Sequence, residues 1–470
     1  MPALRPVRRL PNMNDRLAAD IDRANTAARV CKDAFARRGY ELVDTPVLEE
    51  SDLFLRKSGG ELSSRLYEFN EPGGFRTSLR PELTSPVIRH AIETGATESG
   101  VRRFQYFGPV FRYAPPEHAD GGKTRQFSQL GAEMIGAPSP RSDGEVIAMA
   151  LEGLRAIGVK RGKIVLGHVG LLWRLLERFP LSERARLFLV SSVGSLRKGD
   201  EAAVDVLAAA ANLGFLADTE MPVPENLLGA AEVEAVLARS IGPLGANAGS
   251  RTASEIVRRL ARKQTFSDDP AIFNRAFGML SDLVTISGPA QSAIDDGREL
   301  AANNGLDTEC FSLLEEVAGA AIEEGVRADD ISVRLGLARG IAYYTGMLFD
   351  IVLGEDSDDT LGGGGRYDGL IRALGGSIDR PALGFAYNFD AVLAEADIEP
   401  PSVSAAPVLV RADSDDAWAA AAKHAAGLRE QGRAAVLDVA AEDSLTFDAG
   451  TFAEIIIVSS DGSTRTEEQQ

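Results

Sequence analysis

Two cysteines and four histidines are all that 470 residues contain, and the shortage removes whole classes of chemistry. Cys31 and Cys310 stand far apart in apolar, helical-looking surroundings, which argues against a disulfide framework and suits a reducing compartment. None of His90, His118, His168 and His424 is paired at a metal-ligand spacing, so no metal and no cofactor is expected. Long apolar runs are missing too. No stretch approaches the roughly 20 residues needed to span a bilayer, and Met1-Pro2-Ala3-Leu4-Arg5-Pro6 is not followed by an apolar h-region, so a cytoplasmic location without membrane contact is expected. Positive charge is scarce: 50 Lys and Arg stand against 69 Asp and Glu, a net charge of -19. Phosphate backbones are bound by accumulated cations, so a large nucleic-acid surface is disfavoured.

What is present is enough apolar material, 44% of residues, to fill two or three cores. Leu17, Ile21, Ala24, Ala28, Cys31 and Phe35 recur at three and four, which predicts a helix over 15–38 stopped by Gly39. A strand interrupted near Pro46 follows over 40–48. A hairpin is expected from 65–70 and 75–79 around Glu71-Pro72-Gly73-Gly74, with further strands over 103–113, 126–134, 347–353 and 383–388. Strands joined by hairpins or distant in sequence predict an antiparallel α+β core rather than a doubly wound sheet. Helix-forming stretches at 145–157, 182–193, 202–213, 253–263 and 271–286 mark a helical insertion, since a structureless connection of that length is uncommon. The expected division is 1–150 and 329–397 for the two parts of the core, 151–328 for the insertion, and 405–470 for a small α/β segment. That segment has strands at 408–411, 434–439 and 454–459, a helix at 414–431 and a polar, frayed end.

Three groups of residues carry the chemistry. Arg339-Gly340-Ile341-Ala342-Tyr343-Tyr344-Thr345-Gly346 and Gly362-Gly363-Gly364-Gly365-Arg366-Tyr367-Asp368 gather an arginine, a tyrosine pair and a glycine turn in the manner of an amino-acid pocket. Arg80-Pro81-Glu82-Leu83-Thr84 supplies acceptors, and Phe111-Arg112-Tyr113 with Arg125-Gln126-Phe127-Ser128-Gln129-Leu130-Gly131-Ala132-Glu133 supplies more. A zwitterionic amino acid needs acceptors for its ammonium, a cation for its carboxylate and, for histidine, a polar partner for each ring nitrogen. Glu82, Thr84 and Gln129 suit the ammonium, Arg339 the carboxylate, and Glu133 with Tyr344 the imidazole, while glycines around Gly364 let backbone approach closely. Taken singly, each has a plainer use: Arg80-Pro81-Glu82 as a capped turn, Arg112 as a surface ion pair, Tyr343 and Tyr344 as core aromatics.

In this order the motifs resemble a class II aminoacyl-tRNA synthetase core of the histidyl family, over 15–136 and 331–395. The 39–51 segment resembles that family's first motif, which implies a homodimer interface. The resemblance implies histidine contacts at Glu82, Thr84, Arg112, Gln129, Glu133, Arg339, Tyr343, Tyr344 and Gly364. It also implies a third-motif arginine after Gly384-Phe385-Ala386, where Asn388, Phe389, Asp390 and Ala391 stand instead. Ser128 replaces a histidine, Ala342 replaces an aspartate, and the 115–123 loop is altered. Residues 401–470 hold twelve Asp and Glu against five Lys and Arg, a surface that repels tRNA. These departures resemble the family's regulatory branch. Members of that branch join a short-form ATP phosphoribosyltransferase catalytic subunit, take histidine as effector and have no catalysis of their own. A histidine-tRNA ligase, or a synthetase-like amino-acid ligase, is the alternative.

Overall fold

The computed structural model describes residues 6–56, 62, 64–115, 124–138, 140–216, 268–337, 343–354, 360–398, 406–439 and 451–467. Two compact units are separable, Met1–Asp15 with Ala27–Asp397, and Arg16–Thr26 with Ile398–Gln470. The predicted helix 253–263 lies outside the described residues.

Helix α1 (Ala18–Arg37) buries Ala27, Ala28, Cys31, Ala34 and Phe35 along one stripe, and Gly39, at φ +81°, ends it in the left-handed region. The predicted strand over 40–48 is two short pieces, because Pro46 cannot donate to a ladder. β1 (Glu41–Leu42) lies at the edge of the large sheet and β2 (Leu48–Glu50) in a small one with β3 (Tyr67–Asn70) and β4 (Arg76–Leu79). α2 (Ser51–Leu55) follows β2, and α3 (Thr84–Glu93) follows β4.

The long strands β5 (Arg102–Phe111) and β6 (Gln126–Ile135) pair antiparallel along their whole length, as their sequence predicts. After α4 (Pro140–Ala156) comes β7 (Gly162–His168), a strand not foreseen in the helical insertion expected over 151–328. β7 runs antiparallel to β10 and parallel to β9, and its interior residues Ile164–Gly167 are buried, so it shows no alternation for periodicity to detect. Helices α5 (Val169–Glu177), α6 (Glu183–Leu196), α7 (Asp200–Asn212) and α8 (Pro270–Leu283) follow, with Phe215 stacked on Phe273 at 5.5 Å. Then come β8 (Ser287–Pro289), α9 (Ala290–Asn303), α10 (Ser312–Glu323), β9 (Ile331–Arg334), β10 (Met347–Leu353), β11 (Thr360–Arg366), α11 (Leu370–Ala373), β12 (Ala382–Asn388) and α12 (Phe389–Glu395).

The nine-stranded sheet has the order β1-β5-β6-β12-β11-β10-β7-β9-β8 and is antiparallel from β5 to β7. The glycine turn expected at 362–365 is strand β11, between β10 and β12. Glycine usually signals a turn, but here a Cβ on Gly365 would lie 2.6 Å from the Met347 carbonyl, so side chains are excluded by crowding. One face of the sheet carries α1 and α4: Phe35 meets Phe385 edge-on at 5.7 Å, and Tyr387 donates to the Ala150 carbonyl of α4. The opposite face packs Leu83, Val87, Ile88 and Ala91 around α3 against Phe104, Tyr106, Tyr367, Leu370 and Ile371.

The second unit contains β13 (Val408–Ala412), α13 (Trp418–Glu430), β14 (Ala435–Leu437), β15 (Glu454–Val458) and β16 (Thr464–Glu467), in sheet order β14-β13-β15-β16. Its core joins Val408, Val410, Ala421, Ala425 and Ile456. The expected frayed end is corrected by β16, which pairs antiparallel with β15 from Thr464 to Glu467 although all four residues are exposed.

Candidate functional site

The α3 face of the sheet has a floor of glycines. Cross-strand partners share a face, so Gly108 on β5, Gly131 on β6, Gly384 on β12 and Gly363 and Gly365 on β11 lie with Gln129 and Glu133. Two are required by what stands over them. A Cβ on Gly384 would collide with Oε2 of Glu133, and one on Gly131 would lie 2.6 Å from the Tyr106 hydroxyl.

Glu133 is the centre of this face and is fully buried. Its Oε1 accepts from Thr84 Oγ1 at 2.6 Å and from the Tyr106 hydroxyl at 2.9 Å, and its Oε2 accepts from the Tyr367 hydroxyl. Burial pushes its carboxyl up to about 8, more than these three donors pull it down, and Glu82 adds to the rise. Glu82 accepts from the Ser85 backbone N–H, at 3.2 Å on Oε1 and 3.1 Å on Oε2, so it also caps α3, and burial raises its carboxyl as well. Tyr343 completes the group. Its ring lies 5.2 Å from Tyr344 and 5.3 Å from Tyr367, and its hydroxyl is pushed up by burial and then by the charges of Glu82 and Glu133.

Two arginines hold the Glu82 segment from either side. Arg80, 1% exposed, donates to the carbonyls of Pro109 at 2.9 Å, Thr45 at 2.5 Å and Pro46 at 3.4 Å. Arg112 donates from Nε to the Pro81 carbonyl at 2.7 Å and lies over the Phe127 ring at 5.2 Å. A third, Arg366, fixes the Tyr367 end: its Nε donates to Asp143 at 3.1 Å and its Nη1 to the Ala137 carbonyl at 3.0 Å. Burial raises the Asp143 carboxyl to about 6 despite that arginine.

The structure therefore brings Glu82, Thr84, Glu133 and Tyr343 together, with Tyr344 beside them and Arg112 one residue away through Pro81. Gln129 shares the face. It is buried, and its Oε1 accepts no hydrogen bond among the described residues, an orphan acceptor in need of a donor. Gly364 is a correction: it pairs with Phe349 and Phe385 and belongs to the α1 face, whereas Gly363 and Gly365 belong to this one. Arg339 and the 116–123 part of the altered loop lie outside the described residues. Tyr106 and Tyr367 were not singled out from sequence. Their only signals are the alternation of β5, which puts Tyr106 on the Glu133 face, and the position of Tyr367 two residues after the last glycine of the run.

Where a third-motif arginine was expected, α12 has Asp390 in its first turn. Its Oδ1 accepts from the Ser128 backbone N–H at 3.4 Å, and Asn388 caps the helix through the Ala391 N–H at 3.5 Å. Among the described residues no group of three or more His, Cys, Asp or Glu could hold a metal ion, and no helix is long and apolar enough to cross a membrane.

A family model described as histidyl-tRNA synthetase matches residues 12–392. The chain is 28% identical over 402 residues to a histidine–tRNA ligase of Methanocaldococcus jannaschii, covering 84% of this chain and 77% of that one. It is 31% identical over 366 residues to an ATP phosphoribosyltransferase regulatory subunit of Brucella anthropi, covering 75% of this chain and 92% of that one. Among solved structures it resembles one from Bacillus halodurans described as an ATP phosphoribosyltransferase regulatory subunit/histidyl-tRNA synthetase. The TM-score is 0.65 at 20% identity, over 97% of this chain and 99% of that one.

Proposed function

Since the chain belongs to the histidyl-tRNA synthetase family, we propose that it is a binding member of it, the regulatory subunit of an ATP phosphoribosyltransferase in the first step of histidine biosynthesis. It forms a homodimer through its first motif, takes free histidine as feedback effector and stimulates a separate short-form catalytic subunit. Glu82, Thr84 and Gln129 receive the ammonium, Arg339 the carboxylate, and Glu133 with the tyrosines the imidazole.

Asp390 carries this reading. Amino-acid activation needs cations around the triphosphate, and a unit charge about 4 Å away at an effective dielectric of about 20 contributes about 4 kcal/mol. A carboxylate turned toward the Ser128 N–H at that position replaces such an attraction with repulsion. Glu82, Thr84 and Glu133 stand together with Gln129 on the same face, which supports a retained amino-acid side. The acidic 401–470 segment likewise suits no tRNA.

ATP–pyrophosphate exchange tests it, alongside titration calorimetry with histidine. The expected result is histidine binding without histidine-dependent exchange, and a short-form catalytic subunit whose rate rises on addition of this chain and falls again with histidine. Histidine-dependent exchange would overturn it in favour of a histidine–tRNA ligase, the reading favoured by Arg112, held over Phe127.

A further inference from the structure

We infer that the cavity between β2, α2, α3 and the end of α11 binds a small molecule with a cationic end and a carboxylate end, the class of the basic amino acids. Glu49 takes the cation and Arg56 the carboxylate. The cavity shares no lining residue with the Glu133 face and does not rest on the histidine reading above.

The cavity holds about 390 Å³, within the range of small-molecule sites. Strand alternation builds its inner end. On β2, Leu48 and Glu50 are exposed while Glu49 between them turns inward, and the Glu49 side chain is only 8% exposed. There its Oε1 accepts from Arg89 Nη2 at 2.8 Å, and Arg89, on the last turns of α3, gives Nη1 to Glu93 Oε2 at 2.6 Å. One guanidinium is thus shared between two carboxylates. The second oxygen of Glu49, Oε2, accepts no hydrogen bond among the described residues. Burial raises the Glu49 carboxyl more than Arg89 lowers it, so the pairing leaves the group short of positive charge.

Glu50 and Asp52 add two carboxylates at the exposed rim, and neither forms an ion pair among the described residues. Four carboxylates therefore line the cavity against two guanidiniums. Such an excess selects a cation, and a buried carboxylate with an open oxygen gives that cation a fixed point of attachment. The second guanidinium, Arg56, directly follows α2, is exposed and forms no ion pair among the described residues. Its Nη1 lies 3.9 Å from where a Cβ on Gly375 would stand, which places it beside the turn after α11. A cation on Glu49 leaves Arg56 to the other end of the ligand, and a guanidinium meets a carboxylate through two parallel hydrogen bonds. Leu53 and Leu374 supply apolar wall for the methylenes between the two ends.

Titration calorimetry on the full chain with L-arginine, L-lysine and agmatine, which is arginine without its carboxylate, tests the site. The expected result is binding of L-arginine or L-lysine that weakens at least about 10-fold in Glu49→Gln. In Arg56→Gln, L-arginine should lose about 10-fold while agmatine, lacking the group that Arg56 holds, loses nothing. No heat with either amino acid, binding that neither substitution changes, or equal losses for L-arginine and agmatine in Arg56→Gln would overturn the inference. Residues 46–50 also belong to the first-motif segment, so sedimentation accompanies the calorimetry. A chain that binds neither amino acid, and whose dimer dissociates in Glu49→Gln, would give the cavity to a second copy and overturn the inference as well. Should Glu49→Gln fail to fold, the exposed Arg56→Gln and its agmatine comparison decide alone.

Discussion

Glu133→Gln should change how stability depends on pH, and the size of the change follows from burial. The carboxyl rises from an ordinary 4.5 to about 8 on folding. A raised value means the folded state holds the proton more tightly, so the stability it contributes is complete below 4.5 and is lost as pH rises through 8. Between pH 5 and 7 the wild type should lose about 3 kcal/mol from this group, and about 4 by pH 8. The glutamine amide titrates nowhere in that range and keeps an oxygen for the Thr84 and Tyr106 hydroxyls. The variant's profile should therefore be flatter by those amounts, whatever its stability at pH 5. Urea unfolding reports it through Trp173, which packs against Val165, Val169 and Leu348 in the first unit. A Trp418→Phe background removes the tryptophan of the second unit. Parallel wild-type and variant profiles from pH 5 to 8 would refute the claim that burial outweighs the three hydroxyl donors.

Other perturbations probe the supports. Arg80→Ala orphans the carbonyls of Thr45, Pro46 and Pro109, at about 1–3 kcal/mol each, so a loss of at least about 3 kcal/mol is expected in the urea midpoint. Gly384→Ala drives a methyl into the Glu133 carboxylate and should cost about 1–3 kcal/mol together with most histidine affinity by calorimetry. Gly319→Ala in α10, where a Cβ meets nothing within 4 Å, should instead be neutral or stabilise by up to about 1 kcal/mol. His168 is pushed down to about 4 by burial and by Arg174 and Arg366, so its contribution is complete above 6.5 and is lost as pH falls toward 4, about 3 kcal/mol in all. His168→Asn should remove that acid sensitivity in urea titrations between pH 6.5 and 4 while keeping an acceptor for the Leu171 N–H that His168 Nδ1 now receives.

Much of the sheet was legible because β5, β6, β10 and β12 are apolar runs with clear turn chemistry around them, and Met347–Leu353 has the bounds the sequence predicts. β7 was not, because a strand buried on both faces carries no period of two. β11 was misread for the opposite reason: its glycines carry the usual sign of a turn and are explained only by the neighbouring backbones. In the site, Glu82, Thr84 and Glu133 could be named from residue type and order. Tyr106 and Tyr367 reach Glu133 across 27 and 234 residues of chain, and only strand register makes them neighbours.

The glycine floor also sets which parts of this molecule are able to drift. A methyl at Gly384 strikes the Glu133 carboxyl and one at Gly131 the Tyr106 hydroxyl that donates to it, so substitution there breaks up the buried cluster rather than retuning it. The positions of Asp390 in the first turn of α12 and Ser128 near the start of β6 lie away from that floor. Change at those positions leaves the buried Glu133 cluster and its glycine floor in place, so the two parts of this face can vary independently.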